Sequence, residues 1–333
     1  MLCERISVNA GAALRVEQAG DWAPLMVSFL VNRLVQGAIV LIGASMLIFA
    51  LVRATGNPAV LLLPPDATQE DVARVTAQLG LDKPLPEQYE IFVSQALHGD
   101  FGTSIQLHRP VVELLGDRLP YSLKLGGLSL FFAVLIGIPL GIVAAVKKGT
   151  VADGTARGLA LVGQSVPSFW LGVVLVATFA GKLRLLPAAR AEGPSSYVLP
   201  VITLVLTGFL LSGTIRFVRA GMLDVMAMDY VKMARAKGLS ERLVVGRHAL
   251  RNALIPLVTF LGFYLTFLLG GISLIAELVF AWPGVGPLLY QAILSRDFPI
   301  VQAVVILYVT GFVVVSIVVD LAYVILDPTI RLP

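Results

Sequence analysis

"DYVKMARAKGLSERLVVGRHALRNALIP", Asp229 to Pro256, is a basic, helically patterned passage set in an otherwise oily chain. Eight Lys and Arg side chains fall between Arg216 and Arg251. From Arg219 to Lys237 the spacing is that of a helix, with Ala227, Tyr230, Val231 and Ala234 recurring on one face. Gly238 can adopt the left-handed conformation that stops a helix, and Ser240 can cap the next one. This predicts two short helices meeting at a glycine corner, a rigid knob projecting from a membrane. The small residues Ala234, Ala236 and Gly238 would let another protein approach its backbone. The competing reading is a polybasic segment resting on anionic lipid, each charge contributing about 1 kcal/mol near the surface.

The surroundings of this passage set the class. Of 333 residues, 57% are hydrophobic and 14% charged, with mean hydropathy +0.87, against about 25% charged in a soluble domain. Uncharged runs of roughly spanning length occur at Leu34–Val52, Leu125–Val146, Gly158–Gly181, Tyr197–Ile215, Asn252–Ala276 and Phe298–Val319. Each is apolar around its circumference, which predicts an all-α integral membrane protein of six transmembrane helices.

Charge orients those helices. The 54–118 connection carries four basic residues against nine acidic ones, whereas Lys147, Lys148 and Arg157 follow the second span and the eight basic residues follow the fourth. Lys and Arg accumulate in cytoplasmic loops, so both termini and the 216–251 block are expected inside. Lys182, Arg184 and Arg190 run against the rule but are outnumbered. Residues 1–25 read as a polar, dispensable tail before Met26, with no cleavable signal pattern. Cys3 is the only cysteine, so no intrachain disulfide or cysteine metal cluster can form. In the outer loop, "DATQEDVARVTAQLG" places Val72, Val75 and Leu79 at helical spacing between a Thr68 cap and Gly80, an amphipathic outer helix.

The wording of the basic passage resembles the cytoplasmic EAA loop of ABC-importer permeases, in the form used by the dipeptide/oligopeptide/nickel branch. Where the general pattern has Glu-Ala-Ala, this chain has Lys232-Met233-Ala234 before Gly238, so only the second Ala and the Gly remain. "GLDKPLPEQY" (80–89) and "GDFGTSI" (99–105) resemble that branch's outer loop, and "SVPSFWLG" (165–172) its third span. "AELVFAWPGVGPLL" (276–289) resembles its fifth span and following loop, and "LDPTIRL" (326–332) its carboxyl end. The resemblance covers nearly everything from Met26 to Pro333. It implies the type I ABC importer (MetI-like) permease fold over 26–333, in the bacterial inner membrane, with an outer loop at 54–118 and a cytoplasmic coupling loop at 216–251. It implies that Tyr230, Ala234, Arg235, Ala236, Gly238 and Leu239 couple to an ATPase. The implied partners are a second homologous permease in a heterodimer, two ABC ATPase subunits, an external solute-binding protein and the lipid bilayer. No nucleic acid is among them, and the implied cargo is a dipeptide, oligopeptide or related solute.

The residues agree on one point without the resemblance. No G-x-x-x-x-G-K-[ST] phosphate loop occurs, so nucleotide must be bound by another chain. Inside the spans, Thr259, Tyr264, Thr266 and Ser273 give the fifth run its polar content, and the resemblance makes them, with Glu277, the candidates for lining the path. Lys124 reads as snorkelling to the interface. Trp282 reads as an interface residue, followed by a turn at Pro283, Gly284 and Gly286. Pro139, Pro167 and Pro256 each predict a helix break, and Gly137 with Gly141 predicts close helix packing. Enzyme readings fail: "DGTAR" (153–157) lacks the further aspartates of a metal-dependent transferase, and His98, His108 and His248 all fall in loops. Two loop histidines ten residues apart make no metal site, and no cofactor is expected. The alternative from another class is a stand-alone secondary transporter, which would show inverted repeats and interrupted helices; no internal symmetry supports it.

Overall fold

The computed structural model describes residues 22–54, 63, 68–78, 80–188, 191–267 and 273–326. In chain order its helices are α1 (Trp22–Ala54), α2 (Gln69–Gln78), α3 (Leu85–Leu97), α4 (Val111–Val146), α5 (Val151–Ser165), α6 (Ser168–Lys182) and α7 (Pro194–Leu206). They continue as α8 (Leu210–Met226), α9 (Asp229–Ala236), α10 (Glu241–Ala253), α11 (Ile255–Phe267), α12 (Ser273–Val279), α13 (Val285–Leu294) and α14 (Phe298–Leu326). Within the described residues the six apolar runs are helical apart from breaks at 166–167, 207–209 and 254. Helices α1, α4 and α14 are each long enough to span alone, and three bent pairs supply the other spans.

The bends follow from the chain. Pro167 has no N–H and disfavours a helical residue before it, so α5 and α6 meet at 96°. Gly208, at φ +67°, divides α7 from α8 with a bend of 48°. Pro256 stands just inside α11, which leaves α10 at 49°. Pro139 behaves otherwise than expected: α4 continues unbroken through both Pro120 and Pro139. Pro167 breaks the third span as its chemistry predicts, leaving two helices at nearly a right angle within the 158–181 run.

The most extensive helix pairing joins α4 to α8. A Cβ on Gly137 would stand 2.6 Å from Thr214 Cγ2, and one on Gly141 would stand 2.7 Å from Val218 Cβ and 2.9 Å from the Ile215 carbonyl. The small pair therefore sits where the two backbones meet, as its spacing predicted. Buried hydroxyls are satisfied one turn back: Ser129, Thr203, Thr207 and Thr214 donate to the carbonyls of Leu125, Leu199, Thr203 and Leu210. That is how a polar side chain is tolerated where water is absent. The outside is correspondingly oily, with Ile39 and Leu47 on α1 about two-thirds exposed. Helix α1 is held to α14 by Val313 against Gly37 and by a two-point ion pair, Arg33 Nε to Asp320 Oδ2 at 2.8 Å and Arg33 NH2 to Oδ1 at 3.1 Å. Both residues sit one position outside their apolar runs.

The outer amphipathic helix forms as α2. Thr68 Oγ1 accepts from the Asp71 N–H, and the Thr68 N–H donates back to Asp71 Oδ2, both at 3.2 Å. The Thr68 hydroxyl also donates to Asp71 Oδ2 at 2.8 Å, and this bond, with that from the Thr68 N–H, holds the Asp71 carboxyl below its usual range. Gly80 closes the helix at φ +62°, with Leu81 N–H on the Thr76 carbonyl at 2.9 Å; Leu79 lies outside the described residues. The tail to Asp21 and the "DPTIRLP" end also lie outside them, and Trp22 already begins α1.

Candidate functional site

The basic passage folds as a knob on one end of the bundle. Helix α8 ends at Met226, Met228 is extended (ψ 149°), and α9 runs eight residues to Ala236. Gly238 stands at φ +79°, its N–H on the Arg235 carbonyl at 2.9 Å and the Leu239 N–H on the Ala234 carbonyl at 3.4 Å. That is the glycine-terminated helix end the sequence predicted. Ser240 is extended ahead of α10, as a cap position requires, though its hydroxyl caps nothing.

The knob has two faces. Val231 and Ala234 point inward onto Val218, Met222, Val225, Val244, Ala249 and Ala253. Outward stand Tyr230, Leu239 and two side chains the sequence reading passed over, Met228 at 48% and Met233 at 59% exposed. Ala236 and Arg235 are exposed too, and Arg235 crosses the glycine corner to Glu241 (Nε–Oε1 2.8 Å). Of the six residues singled out, five are therefore at the surface and Ala234 supports the knob from within. Tyr230 ties the knob to the fifth span, accepting from Asn252 Nδ2 at 2.9 Å and donating to the His248 carbonyl at 3.3 Å. Buried Asp153 takes a two-point bond from Arg219 (2.7 and 3.0 Å) and the Gly149 N–H at 3.0 Å, fastening α5 to α8. The aspartate of "DGTAR" is thus an anchor between helices.

At the opposite end two carboxylates hold the loops. Asp297, fully enclosed, accepts from Ser104 Oγ at 2.5 Å and from the N–H groups of Ile105 and Gln106 at 3.2 and 3.1 Å. The turn before α14 is thereby bound to "GDFGTSI" some 190 residues away, a contact no local pattern announces. Glu277, also fully buried, accepts the Gly286 N–H at 2.8 Å, and a Cβ on Gly286 would come within 2.7 Å of the same oxygen. Trp282 is a correction to the sequence reading. It is 1% exposed, a core residue, donating to the Tyr121 carbonyl at 3.2 Å and meeting the Tyr197 ring edge-on at 4.6 Å. Lys124 Nζ lies 4.9 Å over the other neighbour of that cluster, the Tyr197 ring. His98 and His108 each engage a nearby backbone carbonyl, of Ser94 and Gln106.

The path candidates divide. Thr259 is exposed on α11; Tyr264 and Ser273 are buried; Glu277 is enclosed; the Thr266 side chain lies outside the described residues. Tyr264 borders a cavity of about 300 Å³ between the breaks of the third and fourth spans.

A six-span bundle with a knob at one end and interlocked loops at the other is the architecture of a transporter's membrane subunit. The chain belongs to the family described as "Binding-protein-dependent transport system inner membrane component", whose model matches residues 137–332, and the companion N-terminal model matches 26–126. It is 40% identical over 307 residues to the "Glutathione transport system permease protein GsiC" of Salmonella typhi, covering 92% of this chain and 99% of the relative. The Escherichia coli K12 protein of the same name is 39% identical over 308 residues, with the same coverage. Among solved structures, the inward-facing MetNI methionine ABC transporter superposes with TM-score 0.54 at 21% identity, over 64% of this chain and 96% of that one. That likeness shows the fold. The protein is accordingly a permease subunit of an ABC importer in the inner membrane, not itself an enzyme, and it works with ATPase and binding-protein partners.

Proposed function

We propose that this chain forms half of the translocation path for peptides, paired with a second homologous permease in a heterodimer. Di- and oligopeptides and related solutes fit the reading, the relatives being named for glutathione, itself a tripeptide. Of the importer's two ATPases one seats on this knob and the other on the second permease, the binding protein docks on the 54–118 and 281–300 loops, and closure of the ATPases is transmitted through Tyr230 into the fifth span. The observation carrying this is the knob's division into a packed inner face and an outer face presenting Met233, Tyr230 and Leu239. Apolar side chains so displayed on a basic, polar element mark a protein-binding surface more readily than a lipid headgroup contact.

The test is co-purification of the tagged chain with co-expressed candidate ATPases, followed by uptake of labelled glutathione and trialanine into proteoliposomes. Wild type is expected to retain an ATPase and Met233→Glu to lose it. A chain that purifies intact and alone with every candidate would return the knob to the lipid surface.

A further inference from the structure

The third and fourth spans break near the middle of their apolar runs, and the two breaks touch. A Cβ on Gly163 would stand 2.5 Å from the Leu206 carbonyl oxygen. Between the breaks lies the 300 Å³ cavity, lined by Gln164, Ser165, Ser168, Thr207 and Tyr264 among others.

Each break releases backbone. The last bond of α5 runs from Val166 N–H to the Val162 carbonyl and the next from Leu171 to Pro167, which frees the carbonyls of 163–166 and the N–H groups of 168–170. In α7 the last is Thr207 N–H to Thr203, leaving the carbonyls of 204–206 without a backbone donor. Free peptide groups at membrane depth are tolerated where they line a wet or solute-filled cavity. An independent observation falls on the same spot. Tyr264 lines the cavity, is 4% exposed, and its hydroxyl has no hydrogen-bond partner among the described residues.

We infer that this cavity is a hydrogen-bonding station for the main-chain amides of the passing peptide. The inference rests on the peptide reading above. Free carbonyls accept the solute's amide N–H groups; the Tyr264 hydroxyl and the first N–H groups of α6 donate to its carbonyls. Such groups are blind to side chains, so the station passes peptides of varied sequence. Each bond exchanges for one to water, which keeps the hold weak enough for release.

The experiment reconstitutes the importer with its partner subunits, carrying wild type or Tyr264→Phe. Uptake is measured for whichever of glutathione and trialanine the wild type carries, and for that peptide's analogue with its C-terminal peptide bond replaced by a trans-alkene, which removes the carbonyl that Tyr264 would bond. A binding protein that disfavours the analogue does so equally for both permeases. Tyr264→Phe is expected to slow the ordinary peptide roughly three- to tenfold, to leave the analogue's already lowered rate unchanged, and to keep binding-protein-stimulated ATP hydrolysis. Equal slowing of both solutes, or of neither, overturns the station. A wild-type importer that carries no peptide at all removes the underlying reading, and the station with it.

Discussion

At residue scale, neighbouring positions on the knob have opposite duties. Met233 faces out and Ala234 faces in, so Met233→Glu is expected to weaken ATPase retention while leaving the permease's thermal stability within about 0.5 kcal/mol. Ala234→Glu buries an unpaired charge against Val244 and Ala249 and is expected to lower the melting temperature of the permease alone, read by thermal shift in detergent. Equal behaviour of the two variants would contradict the assigned faces. At Gly238, φ +79° makes any other residue strained by about 1 kcal/mol or more. Gly238→Pro cannot take that conformation at all; it is expected to uncouple ATP hydrolysis from uptake with insertion intact. Asp297 is the corresponding residue outside. Asp297→Ala strands two N–H groups and the Ser104 hydroxyl, a loss of roughly 1–3 kcal/mol for each group left buried. Limited proteolysis should then cut the 99–107 loop in the variant well before wild type; unchanged protection would mean the loop is held by something else.

Between elements, the α4–α8 contact depends on two missing side chains. Gly141→Leu would drive carbon into Val218 and the Ile215 carbonyl, and overpacking of that kind costs about 1–3 kcal/mol or more. The expected outcome is a lower melting temperature and loss of the knob's seat, since α8 carries the knob directly. Gly127 faces open space on the same helix, and Gly127→Leu, the matched control, should be tolerated. This much was legible beforehand: the Gly137/Gly141 spacing, the glycine corner and the capped α2 are local patterns of period or turn chemistry. The exposed methionines were legible too. The sequence reading saw the Lys-Met-Ala triplet as a departure from the family pattern, when an apolar residue between basic ones was itself the signal of a surface contact.

Across the whole molecule, interrupted helices were expected of a secondary transporter, and three of six spans are interrupted here, in a chain whose family is that of importer permeases. Helix breaks therefore do not separate the two classes; they follow from the shared need to place polar backbone beside a solute path. The 96° bend at Pro167 is the largest. With Cys3 replaced, spin labels at Lys148→Cys and Lys182→Cys should lie up to ~15 Å farther apart in Pro167→Ala if the two 15-residue arms straighten at 1.5 Å per residue. An unchanged distance would show that packing, not proline, enforces the bend.

Sequence by itself determined the membrane class, the six apolar runs, the basic side and the knob with its corner. Each of these is written in composition or in a periodicity of a few residues, which the chain obeys wherever it lies. Tertiary structure decided which side of α9 faces a partner, that Trp282 is core, that Asp297 holds a loop 190 residues distant, that Arg33 pairs with Asp320, and that two breaks meet at Tyr264. Those facts depend on which helices become neighbours. Only when packing removes water do a lone carboxylate, an open hydroxyl or a freed carbonyl acquire a partner, or the need of one.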